Sequence, residues 1–143
     1  MQDIYDILTD SNKISAIAPN NELMPNFNLK DLKIGEKRKV SIIRENFIQS
    51  ADIVLKCRDI NPSWNKWLLV LEISGGEPKK IQKHISLFQL TKINNMECQL
   101  IMMTKYDEPI NCKEFHKFIE KKKYLIMSIK EYFENFYSPE SSN

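Results

Sequence analysis

Glycine is nearly absent from this chain: three residues in 143, at Gly35, Gly75 and Gly76. Loops that cradle phosphate are built from glycine, because the backbone must come close to the ligand, so a nucleotide loop is not expected here. The one glycine pair, Gly75-Gly76, runs into Glu77, whose carboxylate would repel a phosphate. Histidine is equally scarce. Neither His84 nor His116 has a cysteine or acid at metal-ligand spacing, and no HExxH, P-loop or GxSxG pattern occurs. The three cysteines, Cys57, Cys98 and Cys112, form no Cys-x-x-Cys pair, which argues against a zinc cluster or a disulfide framework and for a reducing compartment. No apolar run reaches membrane-spanning length, and the acidic start from Met1 to Asp10 does not read as a signal peptide. The expectation is a soluble intracellular protein, not an enzyme, with no catalytic residues, no metal and no cofactor.

What is present fits one globular domain, since 143 residues supply one hydrophobic core and rarely two. Residues 1–28 read as an arm packed on the core. Ile4, Ile7 and Leu8 share a side of a short helix, and beyond Asp10 the segment is irregular, with Pro19 and Pro25. Residues 29–137 form the domain proper, and 138–143 a frayed tail. The formal charge of +2 conceals a bias: Lys79, Lys80, Lys83 and Lys92 occupy a stretch free of acids, while the first 34 residues lean acidic. Such a split permits a modest positive face, weaker than that of a duplex-DNA binder.

Between Lys37 and Lys105 the hydrophobic pattern has the period of two that marks strands. Lys37 to Phe47 alternates until Ile43 breaks the pattern. In Ala51 to Arg58, Ile53, Leu55 and Cys57 point one way and Asp52, Val54, Lys56 and Arg58 the other. Trp67 to Ile73 is apolar on both sides, as befits a central strand. Lys80 to Ile93 and Met96 to Lys105 make a hairpin about Asn94-Asn95. Five strands of this kind predict a mainly β fold, a small barrel closed on itself, which leaves no exposed edge. The alternative is an α+β arrangement, an open antiparallel sheet backed by a helix.

That helix spans Cys112 to Tyr137. Asn111 is its N-cap, with Glu114 placed to answer it. Phe115, Phe118, Ile119, Leu125, Ile126, Ile129, Phe133 and Phe136 recur at steps of three and four and form a broad apolar stripe. Phe118, Leu125, Ile129, Tyr132, Phe133 and Phe136 are the residues expected to dock on a protein partner.

Arm, five strands, bent first strand and closing helix together resemble the smallest OB-fold subunits of replication protein A-like and telomere-capping complexes that handle single-stranded DNA. The resemblance implies a non-enzymatic subunit, nuclear, engaged in replication or telomere maintenance and joined to its partner through the last helix. The helix that the family carries between its third and fourth strands has only Gly75 to Lys79 in which to fit here. An OB-type surface stacks bases on rings within a cationic groove. The candidates are Trp64 and Phe88 for stacking, with Lys39, Lys56, Arg58, Lys66 and Lys83 for phosphate. The alternative function is a stand-alone inhibitor or immunity-type protein that blocks another protein.

Overall fold

The computed structural model describes residues 2–18, 27–43, 47–61, 66–78, 80–94 and 97–136, with backbone alone at 2, 3, 42, 43 and 136. Two short helices, α1 (Gln2–Thr9) and α2 (Ser11–Ile17), lead into a 3-10 turn at Leu29–Asp31. Five strands follow: β1 (Lys37–Ile43), β2 (Ile48–Asn61), β3 (Lys66–Gly75), β4 (Ile81–Lys92) and β5 (Cys98–Tyr106). The chain ends in α3 (Cys112–Glu131), which runs on into a π turn at Tyr132–Phe136.

The sheet is open. Its strands pair antiparallel in chain order, β1-β2-β3-β4-β5, and the two outer strands do not meet. The barrel expected from five consecutive strands is therefore not formed, and the arrangement is the α+β alternative. Helices supply what closure would have supplied. Tyr5 and Leu8 from α1, Leu29 and Leu32 around the 3-10 turn, and Ile129 from α3 join Leu55, Trp67, Leu69 and Leu71 in one core on the concave side. A sheet whose concave side is filled by other elements gains nothing from curling on itself. As the pattern predicts, β3 is the central strand.

One insertion resets the faces of β2. Leu55 pairs with Leu71 and Cys57 with Val70, so Lys56 is an extra residue opposite no partner, a β-bulge. Beyond it the alternation inverts: Arg58 lies opposite buried Leu69 on the concave side, and Cys57 lies opposite Val70 on the convex side. The uninterrupted alternation expected for Ala51 to Arg58 had placed both residues on the wrong faces.

The leading segment is more regular than its composition implies. Asp10 accepts hydrogen bonds from the Asn12 and Lys13 amides, which caps α2 where an irregular arm was expected. Ser11 then exchanges two hydrogen bonds with Phe27: its amide donates to the Phe27 carbonyl at 2.8 Å, and its hydroxyl accepts from the Phe27 amide at 2.8 Å.

At the other end of the sheet Ser50 holds the β3-β4 loop. Its amide donates to the Glu77 carbonyl at 2.8 Å, and its hydroxyl accepts from the Glu77 amide at 2.8 Å. Gln82 Nε2 donates at 2.8 Å to the carbonyl of Glu108, which ties the start of β4 to the segment that launches α3.

Candidate functional site

The inward row of β4 is His84, Ser86, Phe88 and Leu90, set by pairing with Ile73, Leu71, Leu69 and Trp67 of β3. Across the other edge of β4 the same row meets Tyr106, Thr104, Met102 and Leu100 of β5. Over this surface lies α3, fastened at its start by Asn111 Oδ1, which accepts from the Lys113 amide at 2.8 Å. Ile129 is the helix's one buried residue. The first turns of α3 are exposed, Phe115 included, and Phe118, Lys122, Leu125 and Phe133 are half-buried against the sheet.

Lys122 is the unusual member of this set. Its ammonium lies 5.4 Å from the centroid of the Phe88 ring and 5.3 Å from that of Phe118. Cation–π attraction steadies a charge so placed without neutralising it. Among the described residues no carboxylate pairs with Lys122, and the loss of water pulls its pKa below the ordinary lysine value.

His84 is also buried. Its Nδ1–H donates to the Gln82 carbonyl at 2.9 Å, which leaves Nε2 as the acceptor. Desolvation lowers its pKa, the hydrogen bond to Gln82 opposes that, and the Lys122 charge adds to the lowering. Its ring packs 4.8 Å from Tyr106 and 6.1 Å from Phe118. Burial raises the Tyr106 pKa, with a smaller push from Glu114 in the first turn of α3.

Three buried side-chain polar atoms among the described residues have no hydrogen-bond partner: Arg58 Nε, Trp67 Nε1 and Ser86 Oγ. All three belong to residues of the concave side, and all three carry a hydrogen to donate. A buried donor left unpaired costs about 1–3 kcal/mol, so each of them marks a place where an acceptor would fit. With the Lys122 ammonium, the interior between sheet and helices is rich in donors and poor in acceptors. Its packing leaves a cavity of about 10 Å³ between Tyr5, Leu8, Trp67, Leu69, Phe88 and Leu90, no more than one water in size.

The residues singled out from sequence fall on different surfaces. Trp64 lies outside the described residues. Phe88 points inward and contributes to the cavity wall. Arg58 also points inward and donates to the Leu29 carbonyl. The convex face carries Lys39, Lys56, Lys66 and Lys83, and two of these share one acid, Lys56 at 3.4 Å and Lys83 at 3.8 Å from Glu72. The thickness of the sheet thus separates Phe88 and Arg58 from the lysines. Of the expected docking residues on α3, Ile129 is buried, and Phe118, Leu125, Tyr132 and Phe133 are half-buried; the Phe136 side chain lies outside the described residues. The apolar side chains that α3 leaves exposed are Phe115, Tyr124 and Met127.

Lys122 was absent from the sequence-derived set, yet it had left a signal. The stripe through Phe118, Leu125, Ile129 and Phe133 passes through position 122, where the spacing calls for an apolar residue and the chain has a lysine.

Among the described residues no group of three or more histidine, cysteine and acidic side chains could hold a metal ion, and no helix is long and apolar enough to cross a membrane. No protein-family model matches the chain, and no curated protein matches it in sequence. Among solved structures it is similar to the crystal structure of Ara h 8.0201, at 16% identity and a TM-score of 0.51, over 90% of this chain and 82% of that one. The likeness is one of fold: an antiparallel sheet gripping a long C-terminal helix, the helix-grip arrangement.

Proposed function

We propose that this chain is a non-enzymatic binding protein that takes a small, apolar-bodied, acceptor-bearing molecule between the concave face of its sheet and α3. The observation that carries the reading is the set of unpaired donors on that face, Arg58 Nε, Trp67 Nε1 and Ser86 Oγ, together with an ammonium on α3 that has no carboxylate partner among the described residues. A core kept solely for stability would have apolar groups there. The 10 Å³ cavity, which lies between α1 and the sheet, is far too small for such a ligand, so binding requires the helices over the sheet to shift. The anchoring of α3 suits such a shift: one buried residue toward its C-terminal end, and a first stretch, Cys112 to Lys117, that is exposed.

The test is thermal unfolding of the pure protein against a panel of small apolar acids, alcohols and ketones, with single-stranded oligonucleotides as the counter-probe. A ligand that binds only the folded state raises the midpoint with concentration. The expected result is a saturable rise with some of the small molecules and none with oligonucleotides at physiological salt. A rise with oligonucleotides alone, or with nothing up to millimolar concentration, overturns the proposal. The first of those outcomes would return the function to single-stranded nucleic acid, the role expected from the sequence.

A further inference from the structure

We propose that the free edge of β5 pairs with the same edge of a second copy of this chain, so that two sheets join about a two-fold axis at Ile101 into one continuous antiparallel sheet. The pairing is independent of whatever the concave face binds.

The open sheet has two edges, and their sequences differ in kind. A strand edge presents a row of unpaired backbone groups, which charges, prolines or bulges ordinarily keep from pairing with another chain. Three cations in succession, Lys37, Arg38 and Lys39, begin β1, and its Val40 is buried. By contrast β5 has no proline or glycine, keeps an unbroken register with β4 from Cys98 to Tyr106, and carries one charge, Lys105. Among the described residues it is also the one strand with no buried side chain, although Leu100, Ile101, Met102 and Met103 follow one another along it. Met103 is 61% exposed.

The ladder fixes which backbone groups face the edge. The Ile93 amide donates to the Glu97 carbonyl at 2.9 Å, and in an antiparallel pair the bonded residues alternate, so Gln99, Ile101, Met103 and Lys105 turn their amides and carbonyls toward β4. Those of Cys98, Leu100, Met102 and Thr104 turn outward, and they have no partner among the described residues. Pairing centred on Ile101 sets Leu100 of one copy opposite Met102 of the other, and Cys98 opposite Thr104, so the outward groups of each pair bond one another.

Charge selects that register. The convex row reads Glu97, Gln99, Ile101, Met103, Lys105, with an acid at one end, a base at the other and apolar side chains between. Turned about the two-fold axis, Glu97 of one copy falls opposite Lys105 of the other at both ends of the seam. Neither residue has an ion-pair partner within its own chain among the described residues. Centring the pair one residue later, on Met102, would bring Glu97 opposite Asp107, two acids; one residue earlier, it would bring Glu97 opposite Met103.

A single strand pair buries less surface than a standard interface, so the association is expected at micromolar strength. Sedimentation velocity of the full chain, under reducing conditions and from about 5 to 500 µM, should show the wild type passing from monomer to dimer. Ile101→Lys sets two ammonium groups face to face at the axis and should remain monomeric throughout. Lys105→Glu should weaken the dimer at least about ten-fold, and adding Glu97→Lys to it should restore the affinity to within about three-fold of wild type. Both charged residues are exposed, so the reversal and its rescue test the pairing even if Ile101→Lys fails to fold, which its melting midpoint would report. A wild type that stays monomeric at the highest concentration overturns the proposal and leaves the edge to a different chain. A dimer that persists in folded Ile101→Lys, or that Lys105→Glu does not weaken, overturns it as well, because the copies then meet elsewhere.

Discussion

Lys122 sits one helical turn beyond Phe118 and lays its ammonium 5.3 Å from the centroid of that residue's ring. Two side chains four apart on a helix are neighbours by construction, so the pair is set locally by α3; the β4 ring of Phe88, 5.4 Å away, is contributed by the fold. A charge held this way is costly, because it has lost water and gained no opposite charge among the described residues.

That cost gives the first prediction. Lys122→Met keeps the length of the side chain and removes the charge, and it should raise stability by about 1 kcal/mol, a midpoint increase of roughly 3 °C for a domain of this size. Differential scanning calorimetry at neutral pH checks it. A residue whose removal stabilises the fold while weakening binding is the expected signature of a functional position. A drop in stability would mean that the two rings hold the ammonium well enough to offset its desolvation.

The pH dependence follows from His84. Its folded pKa lies below the ordinary 6.5, mainly because burial disfavours the imidazolium. As pH falls through 6.5 the unfolded chain takes up a proton that the native chain refuses, so stability declines from there until the folded pKa is passed. Above 6.5 this group contributes no slope. Denaturant unfolding of the wild type and His84→Phe between pH 5 and 8 separates its share, which should vanish in the variant.

Ile129 is the buried anchor of α3. Ile129→Ala should cost about 2–4 kcal/mol, the usual price of truncating a core aliphatic. Hydrogen exchange should then quicken across Cys112–Glu131 before it does in β3, since β3 is held by strands on both sides. Equal acceleration in both would show that helix and sheet unfold as one unit.

Gly75 ends β3 with φ of 71°, and a Cβ built there would stand 2.9 Å from Asp52 Oδ2. The carboxylate can swing aside, but the left-handed backbone cannot be relieved so simply. Gly75→Ala is expected to lose about 1 kcal/mol, read as a lower denaturant midpoint at unchanged slope.

The sequence by itself determined the order of the five strands and the closing helix, the central place of β3, the cap of α3 at Asn111 and the apolar stripe of that helix, because each is written in the pattern of residues a few positions apart along the chain. It misled at three points. Asp10 turned an apparently irregular arm into α2 through a side-chain cap. The extra residue at Lys56 exchanged the faces of Cys57 and Arg58, and strict alternation gives no notice of a bulge. Whether five strands close or stay open depends on twist summed over the sheet and on what else fills its concave side, which are long-range quantities. Only the tertiary structure, by packing α1 and α3 into that side, kept β1 and β5 apart and brought His84 and Phe88 of one strand up to Lys122 of a helix more than thirty residues further on.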